Sequence, residues 1–357
     1  AVAMSGGVDS SVAALLLKEA GHEVVGLSMQ LWDHSGESGR SGRCCTLDDL
    51  SDARRVAWAL GIRHYVLDLE EEFRRDVVRP FVASYLAGET PIPCSACNTK
   101  VKFATLWDRA RVIGCEAVAT GHYVRVETEA SGRARLRKGA DPQKDQSYFL
   151  YDLTQDQLAA ARFPVGGLTK AEVRAHARRA SLPTADKEES QEICFVPAGT
   201  RAGQFVAEHA EALGLTLPAA EGRLEDAGGR SLGTHGGHYR FTIGQRRGIG
   251  VAATERLYVL SVDAAENRVV VGPGRNLETR EARVGDVRWI GATPDAPFTA
   301  VARIRHHAPD ATATVFPEGD RTARVVFDSP VRAVTPGQAC VLYDGDFVLG
   351  GGVIRAD

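Results

Sequence analysis

Three groups of residues have the types and spacing for chemistry. They are the run Ser5-Gly6-Gly7-Val8-Asp9-Ser10-Ser11, the pair Cys94-x-x-Cys97, and Cys194 within Ser190-Gln191-Glu192-Ile193-Cys194-Phe195. The first follows a short apolar run, Ala1 to Met4, and opens onto Val12 to Leu17, a stretch that ends at Gly21. That order predicts strand, glycine turn, helix. Gly6 and Gly7 let the backbone turn tightly and approach a ligand, since neither carries a Cβ. Asp9 or Ser10 is expected to cap the helix, whose first-turn N–H groups then favour an anion. A Walker A loop needs Gly-Lys-Ser/Thr after four intervening residues, and no lysine occurs here. A serine and glycine cradle with one carboxylate suits a different task, holding the pyrophosphate of ATP while the α-phosphate is attacked. Asp9 would then hold Mg²⁺ against the phosphates. The plainer reading is a tight βα turn of any doubly wound fold.

The cysteines leave alternatives open. Cys94-x-x-Cys97 fits half of a zinc site, completed by Cys44 and Cys45 or by His122. It also fits a redox pair. The third reading is a nucleophile at a helix N-terminus, where the dipole lowers a thiol pKa. Cys97 precedes Asn98, which is expected to cap a helix over 99–113, and this suits the third reading. Cys194 lies between Ile193 and Phe195, a context that equally suits simple burial. Cys115 and Cys340 stand in apolar surroundings and read as structural.

The elements that must position these groups follow from periodicity. Strand patterns at 23–29, 64–68 and 116–120 alternate with helical patterns ending at Gly61 and Gly114. The helical pattern over 70–86 contains Pro80, which predicts a kink. Thr169-Lys170-Ala171-Glu172 predicts a capping box. Such alternation predicts a doubly wound parallel sheet, with ligands at the carboxyl ends of its strands. Ser5 to Ser10, Met29 and Gly121 all fall at strand ends, so one crevice can gather them. Beyond residue 200 the pattern changes to short β-like runs. The expected division is an α/β domain over 1–200, a small β-rich central domain over 201–274 and a C-terminal β-barrel over 275–357.

The 357 residues, 44% of them hydrophobic, are enough for two or three cores. Net charge is only −3, so any nucleic-acid surface must be a local patch. Arg303 and Arg305 are expected to face the same side of one strand, beside His306 and His307, with Arg240, Arg246 and Arg247 extending the patch. No apolar run is long enough to span a bilayer. Seven cysteines without an export signal point to a reducing, cytoplasmic setting.

Taken in order, six motifs resemble the bacterial tRNA-specific 2-thiouridylase family, within the PP-loop ATP pyrophosphatases. They are Ser5 to Ser11, Pro93-x-x-x-Cys97-Asn98 with Val101-Lys102-Phe103, Ala119 to Tyr123, Lys144 to Tyr148, Ser190 to Phe195, and Thr242 to Arg246. The resemblance covers nearly the whole chain. It implies an enzyme that thiolates the wobble uridine of tRNA, with ATP adenylating the C2 oxygen. It implies a persulfide on Cys194, fed by a persulfide donor protein, and Cys97 as the thiol that releases the sulfur or resolves the adduct. A transient Cys97–Cys194 disulfide would follow. The implied ATP contacts are Ala3, Met4, Ser5, Gly6, Gly7, Val8, Asp9, Ser10, Met29 and Gly121. The implied base contacts are Ile92, Pro93 and Cys94, and the other tRNA contacts are Lys144, Asp145, Gln146, Arg305 and His306. The expected protein is a monomer. Some family members carry aspartate where Cys94 stands, which leaves open which group serves as acid or base. It also leaves open whether Cys94 is the attacking thiol. Two other readings compete: a different PP-loop adenylating ligase, which needs no cysteine pair, and a zinc-bearing RNA-binding module.

Overall fold

The computed structural model describes residues 1–32, 47–189, 193–197, 199–219, 221–319 and 321–356. The chain divides into two compact units. One comprises Ala1–Val78, Pro93–Ala198 and Asp346–Val348, and the other Arg79–Ile92, Gly199–Gly345 and Leu349–Asp357.

The first unit opens with the predicted alternation: β1 (Val2–Ala3), α1 (Val8–Glu19), β2 (Val25–Gln30), α2 (Leu47–Leu60) and β3 (Arg63–Asp68). Gly21 and Gly61 end the two helices at positive φ, 87° and 62°, a backbone region that side chains other than glycine rarely tolerate. Next come α3 (Glu70–Phe73), a wide π-type stretch Arg74–Val78, and α4 (Arg79–Leu86), which counts with the second unit. Pro80 has no N–H to give to residue 76, so the expected kink takes the form of this widened turn just ahead of it. After α5 (Pro93–Ala96) a second wide stretch, Cys97–Thr105, leads into α6 (Leu106–Val112). There follow β4 (Val118–Ala119), the hairpin β5 (Val124–Thr128) and β6 (Ala134–Lys138), α7 (Gln155–Ala160), β7 (Ala161–Arg162) and α8 (Lys170–Arg179).

Five strands pair in the order β3-β2-β1-β4-β7, all parallel. Val2 of β1 pairs with Gly26 on one side and Ala119 on the other. The chain progresses from β1 to β3 in one direction and then resumes on the far side at β4. The crevice of such a sheet opens at that reversal, beyond the ends of β1 and β4. Helices α1, α2 and α8 share one core, in which Ala13, Ala53 and Ala177 allow close approach and Val12, Val56 and Val173 fill the space. The capping box predicted at Thr169 is present: its side chain accepts from the Glu172 N–H, and Glu172 accepts from the Thr169 N–H. Replacing Thr169 by alanine should lower stability by about 1 kcal/mol, read as a shift in denaturation midpoint at constant slope.

The second unit holds α9 (Ala202–His209) and a sheet of β8 (Gly222–Asp226), β9 (Ser231–His235), β10 (Leu257–Asp263) and β11 (Arg268–Pro273), in the order β10-β11-β8-β9. Leu224, Val259, Val269 and Val271 form its core. Six further strands follow: β12 (Glu278–Trp289), β13 (Phe298–Arg303), β14 (Ala311–Pro317), β15 (Ala323–Arg332), β16 (Ala339–Asp344) and β17 (Phe347–Ile354). They pair in the order β12-β15-β14-β13-β16-β17, and β17 returns to β12 with Val284 opposite Ile354 and Trp289 opposite Gly350. This closes the expected barrel around Ala302, Ala313, Val315, Val325 and Phe327. The segment after α4 is pinned within the same unit: the Thr90 N–H donates to Pro336 O at 2.8 Å, and Gln338 Nε2 donates to Thr90 O at 2.7 Å.

Candidate active site

The glycine loop leaves β1 and turns at Gly6, whose φ is +72°. A Cβ on Gly6 would lie 2.2 Å from the Asp49 carbonyl oxygen, so only glycine fits. The helix starts two or three residues earlier than a cap at Asp9 or Ser10 implies. Gly7 is its N-cap, and no side chain caps it. Asp9 and Ser10 therefore sit in the first turn instead of capping it. The hydroxyls of Ser10 and Ser11 donate back to Gly7 O at 3.1 and 2.8 Å, while the Ser5 N–H donates to Ser10 Oγ at 3.2 Å. The uncapped first turn of α1, with Val8 as its first residue, keeps its N–H groups directed at the loop, the arrangement that favours an anion. Across the crevice the chain beyond β4 comes as close as backbone can: a Cβ on Gly121 would lie 2.6 Å from Ser10 N.

A cavity of about 320 Å³ opens at this point of the first unit. Ala3, Met4, Ser5, Asp9 and Ser10 line it from the loop, and Met29 and Gly121 from the ends of β2 and beyond β4. Pro93, Cys94 and Cys97 line it from the helical run that begins at Pro93, Gln146 from the segment after β6, and Cys194 from the segment flanked by Ile193 and Phe195. Residues far apart in sequence and singled out for chemistry thus meet around one space. Phe195 is buried and packs edge-on against Phe73 with ring centroids 5.6 Å apart, which anchors the backbone next to Cys194. Ser190, Gln191 and Glu192 of that motif lie outside the described residues.

The cysteine pair sits differently from the expectation. Residues 93–112 are one continuous helical run starting at Pro93, because proline is well suited to a first helical position, where its missing N–H costs nothing. Asn98 is therefore inside the helix and caps nothing; its Nδ2 donates to Phe149 O at 3.0 Å. Cys97 is buried, beyond the first turn, and Cys94 is the exposed cysteine within the first turn. The dipole argument accordingly applies to Cys94 and not to Cys97. For zinc, Cys44 and Cys45 lie outside the described residues, and among the described residues no group of three or more His, Cys, Asp or Glu is arranged to hold a metal. His122 lines the cavity with Nδ1 2.7 Å from Thr120 Oγ1. Burial, helped by the Lys102 charge, pushes its pKa well below the ordinary value and keeps the ring neutral. Cys340 matches its structural reading: burial pushes its thiol up to about 12.

Pattern reading missed a chain of charges behind the loop. Asp9 Oδ1 accepts from the Tyr123 hydroxyl at 2.7 Å and from Lys170 Nζ at 2.7 Å. Lys170 also pairs with Glu189 Oε1, and Lys144 donates to Glu189 Oε2 at 2.6 Å. Burial opposes ionisation of Glu189, but the two lysines outweigh it and hold its carboxyl below the usual range. The Tyr123 hydroxyl is pushed up by burial and then by the Asp9 charge. Only the helix start at Thr169 was visible in the sequence; the pairing of Lys170 with Asp9 needed the fold.

The remaining expected tRNA contacts are spread over different environments. The Asp145 carboxylate is buried and accepts from the N–H groups of Gly139 and Ser147, both at 3.1 Å, and from the Ser147 hydroxyl. Gln146 Oε1 accepts from the Tyr123 N–H at 3.0 Å. Ile92 is half-buried, immediately ahead of α5. In the second unit β13 ends at Arg303, so Arg303 and Arg305 do not alternate along one strand as expected. Arg303 donates to Asp310 Oδ1 at 2.7 Å, whereas Arg305 turns to Ile243 O at 2.9 Å and to Thr335. The ring of His306 lies 4.3 Å from that of His307.

Comparison with known proteins agrees with this architecture. Residues 1–198 match the tRNA methyl transferase HUP domain, residues 210–273 the tRNA methyl transferase PRC-barrel domain, and residues 279–354 the aminomethyltransferase beta-barrel domain. The tRNA-specific 2-thiouridylase MnmA of Geotalea uraniireducens is 50% identical over 358 residues, covering 99% of this chain and 94% of that protein. The protein of the same name from Geobacter metallireducens is 50% identical over 361 residues, covering 99% and 96%. Among solved structures, NMN synthetase from Francisella tularensis aligns with a TM-score of 0.34 at 17% identity, over 61% of this chain and 77% of that one, too slight a likeness to carry an inference. With half of its residues shared over almost its full length, this chain belongs to the tRNA-specific 2-thiouridylase family.

Proposed function

We propose that this chain is a tRNA-uridine 2-sulfurtransferase that thiolates the wobble uridine, position 34, in an ATP-dependent reaction. The carrying observation is that the glycine loop, Cys97 and Cys194 line one cavity. In this reading ATP lies along Ala3 to Ser10, Met29 and Gly121, its phosphates on the first-turn N–H groups of α1. The uridine C2 oxygen attacks the α-phosphate, forming an O-adenylated base and releasing pyrophosphate. The terminal sulfur of a persulfide on Cys194 attacks C2. The Cys97 thiolate attacks Cys194 Sγ and breaks its bond to the transferred sulfur, whose electron pair stays on that sulfur and forms the C=S bond as the carbon–oxygen bond breaks and AMP leaves. The uridine oxygen departs in AMP, the transferred sulfur stays on C2, and the oxidised product is a Cys97–Cys194 disulfide, which an external thiol reduces. Mg²⁺ fits beside Asp9, since one carboxylate plus substrate phosphates is a common set for this ion. Among the described residues, Tyr123 and Lys170 both bond Asp9 at Oδ1, which leaves Oδ2 for the cation. The ion would neutralise phosphate charge.

Base contacts at Ile92, Pro93 and Cys94 and tRNA contacts at Lys144, Asp145, Gln146, Arg305 and His306 belong to the same reading, as do domains over 1–200, 201–274 and 275–357. So do a persulfide donor protein, a monomeric state and a cytoplasmic setting. Among the described residues no helix is long and apolar enough to cross a membrane. The test combines the protein with ATP, Mg²⁺, a persulfide source and unmodified tRNA, and assays the digested tRNA by mass. The expected result is 2-thiouridine with AMP and pyrophosphate. Both nucleotide products without thiouridine would move the acceptor elsewhere, and no AMP with any tRNA would overturn the enzyme reading.

A further inference from the structure

The glycine loop presents amide dipoles to a triphosphate but carries no cationic side chain between Ser5 and Ser11. Lys102 lines the cavity, but the ammonium bonded to the first turn after the loop arrives from another helix. Lys170 is the first residue of α8, held in place by the Thr169 capping box, and its Nζ lies 2.7 Å from Asp9 Oδ1 in the first turn after the loop. Its side chain is only 13% exposed. Burying an ammonium is costly unless carboxylates compensate, and here Asp9 and Glu189 do so. Glu189 in turn has one oxygen on Lys170 and the other on Lys144. Two lysines and two carboxylates balance in charge as they stand. A triphosphate placed on the loop upsets that balance next to Asp9 and needs a cation. Lys170 has a flexible four-carbon stem and can exchange one acidic partner for another. Glu189, still bonded to Lys144, is not stranded when it gives Lys170 up.

We propose that Lys170 is the phosphate-binding cation of this loop, contacting the β- or γ-phosphate of ATP, and that Glu189 holds it in reserve and competes with the nucleotide for it. This rests on the ATP site proposed above. Glu189 is here a positioning residue, acting through Lys170. The two side chains should have opposite effects, which a merely structural ion pair cannot produce. Removing the cation weakens ATP binding, and removing its competitor strengthens it.

The experiment measures equilibrium binding of ATP with Mg²⁺, and separately of AMP, to the full-length protein and to K170Q, K170R and E189Q, with a thermal melt of each as a folding control. K170Q should weaken ATP binding by roughly ten- to a hundredfold, the weight of a charge-assisted contact, and leave AMP binding unchanged, because AMP lacks the β- and γ-phosphates. K170R should recover most of the loss. E189Q should tighten ATP binding by roughly threefold or more, as loss of a competitor requires. Unchanged ATP binding by K170Q, equal loss of ATP and AMP, or weaker ATP binding by E189Q would each overturn the proposal while leaving the ATP site standing. Failure of the wild-type protein to bind ATP would instead remove the ATP-site reading itself, and this inference with it.

Discussion

C194S and C97S are each expected to lower 2-thiouridine formation by at least about a thousandfold, the scale on which removal of a reacting group acts. Both variants should still release pyrophosphate in a first turnover when tRNA is added, because adenylation precedes any step that uses sulfur. Serine is close in volume to cysteine and both side chains line the cavity, so stability should change little at Cys194 and somewhat more at the buried Cys97. The informative comparison is with C94S. Cys94 is exposed and stands in the first helical turn, whereas Cys97 is buried. Loss within about tenfold for C94S would leave Cys97 as the attacking thiol; a larger loss at Cys94 than at Cys97 would reverse their roles. Labelling with a radioactive persulfide sulfur locates the carrier: the label should remain on Cys194 in C97S and be absent in C194S.

G6A is the second large effect. Alanine at this position must adopt a φ near +72°, at a cost of roughly 1–2 kcal/mol. It must also push its Cβ out of the 2.2 Å approach to the Asp49 carbonyl oxygen. Backbone cannot yield as a side-chain tip can, and overpacking of this kind costs roughly a further 1–3 kcal/mol. The displaced loop would carry its amides away from the phosphates, and a shift of that order costs about a hundredfold in rate. Pyrophosphate release should fall by this factor or more, with a lowered melting temperature. G21A supplies the control, since Gly21 also has a positive φ, +87°, but a Cβ there meets nothing within 4 Å. It should lose stability to backbone strain alone and keep its rate. Equal rates for G6A and the wild-type protein would show that the loop does not hold the nucleotide.

What could be read from sequence and what could not separate along a physical line. The glycine loop, the helix stops at Gly21 and Gly61 and the capping box at Thr169 depend on interactions within a few residues, and they were legible. The parallel sheet was legible because each strand and helix announces its own period. The start of the helix carrying Cys97 was misread because Pro91-x-Pro93-Cys94 has the composition of a turn, and only tertiary packing shows that Pro93 begins a helix. Arg303 and Arg305 were misread because alternation assumes that the strand continues, and β13 stops at Arg303. The buried Asp145 carboxylate, which accepts from the Gly139 and Ser147 N–H groups and the Ser147 hydroxyl, gives no sign of its burial in the local sequence. The ion pairs that bring Lys170 to Asp9 and Glu189 join residues with no local relation in the chain, so no window of sequence contains them.

The assignment of Asp346–Val348 to the first unit bears on how the chain is made. Arg125 and Arg137 of the β5–β6 hairpin reach Asp346 Oδ2 at 3.4 and 3.3 Å, and the Arg135 guanidinium lies 3.6 Å from the centroid of the Phe347 ring. A ribosome delivers Asp346 209 residues after Arg137. Until then the nascent hairpin leaves the β6 edge without its later partner, a hazard for any open strand edge. A stop codon ahead of Asp346 would therefore damage a unit whose other segments come much earlier in the chain.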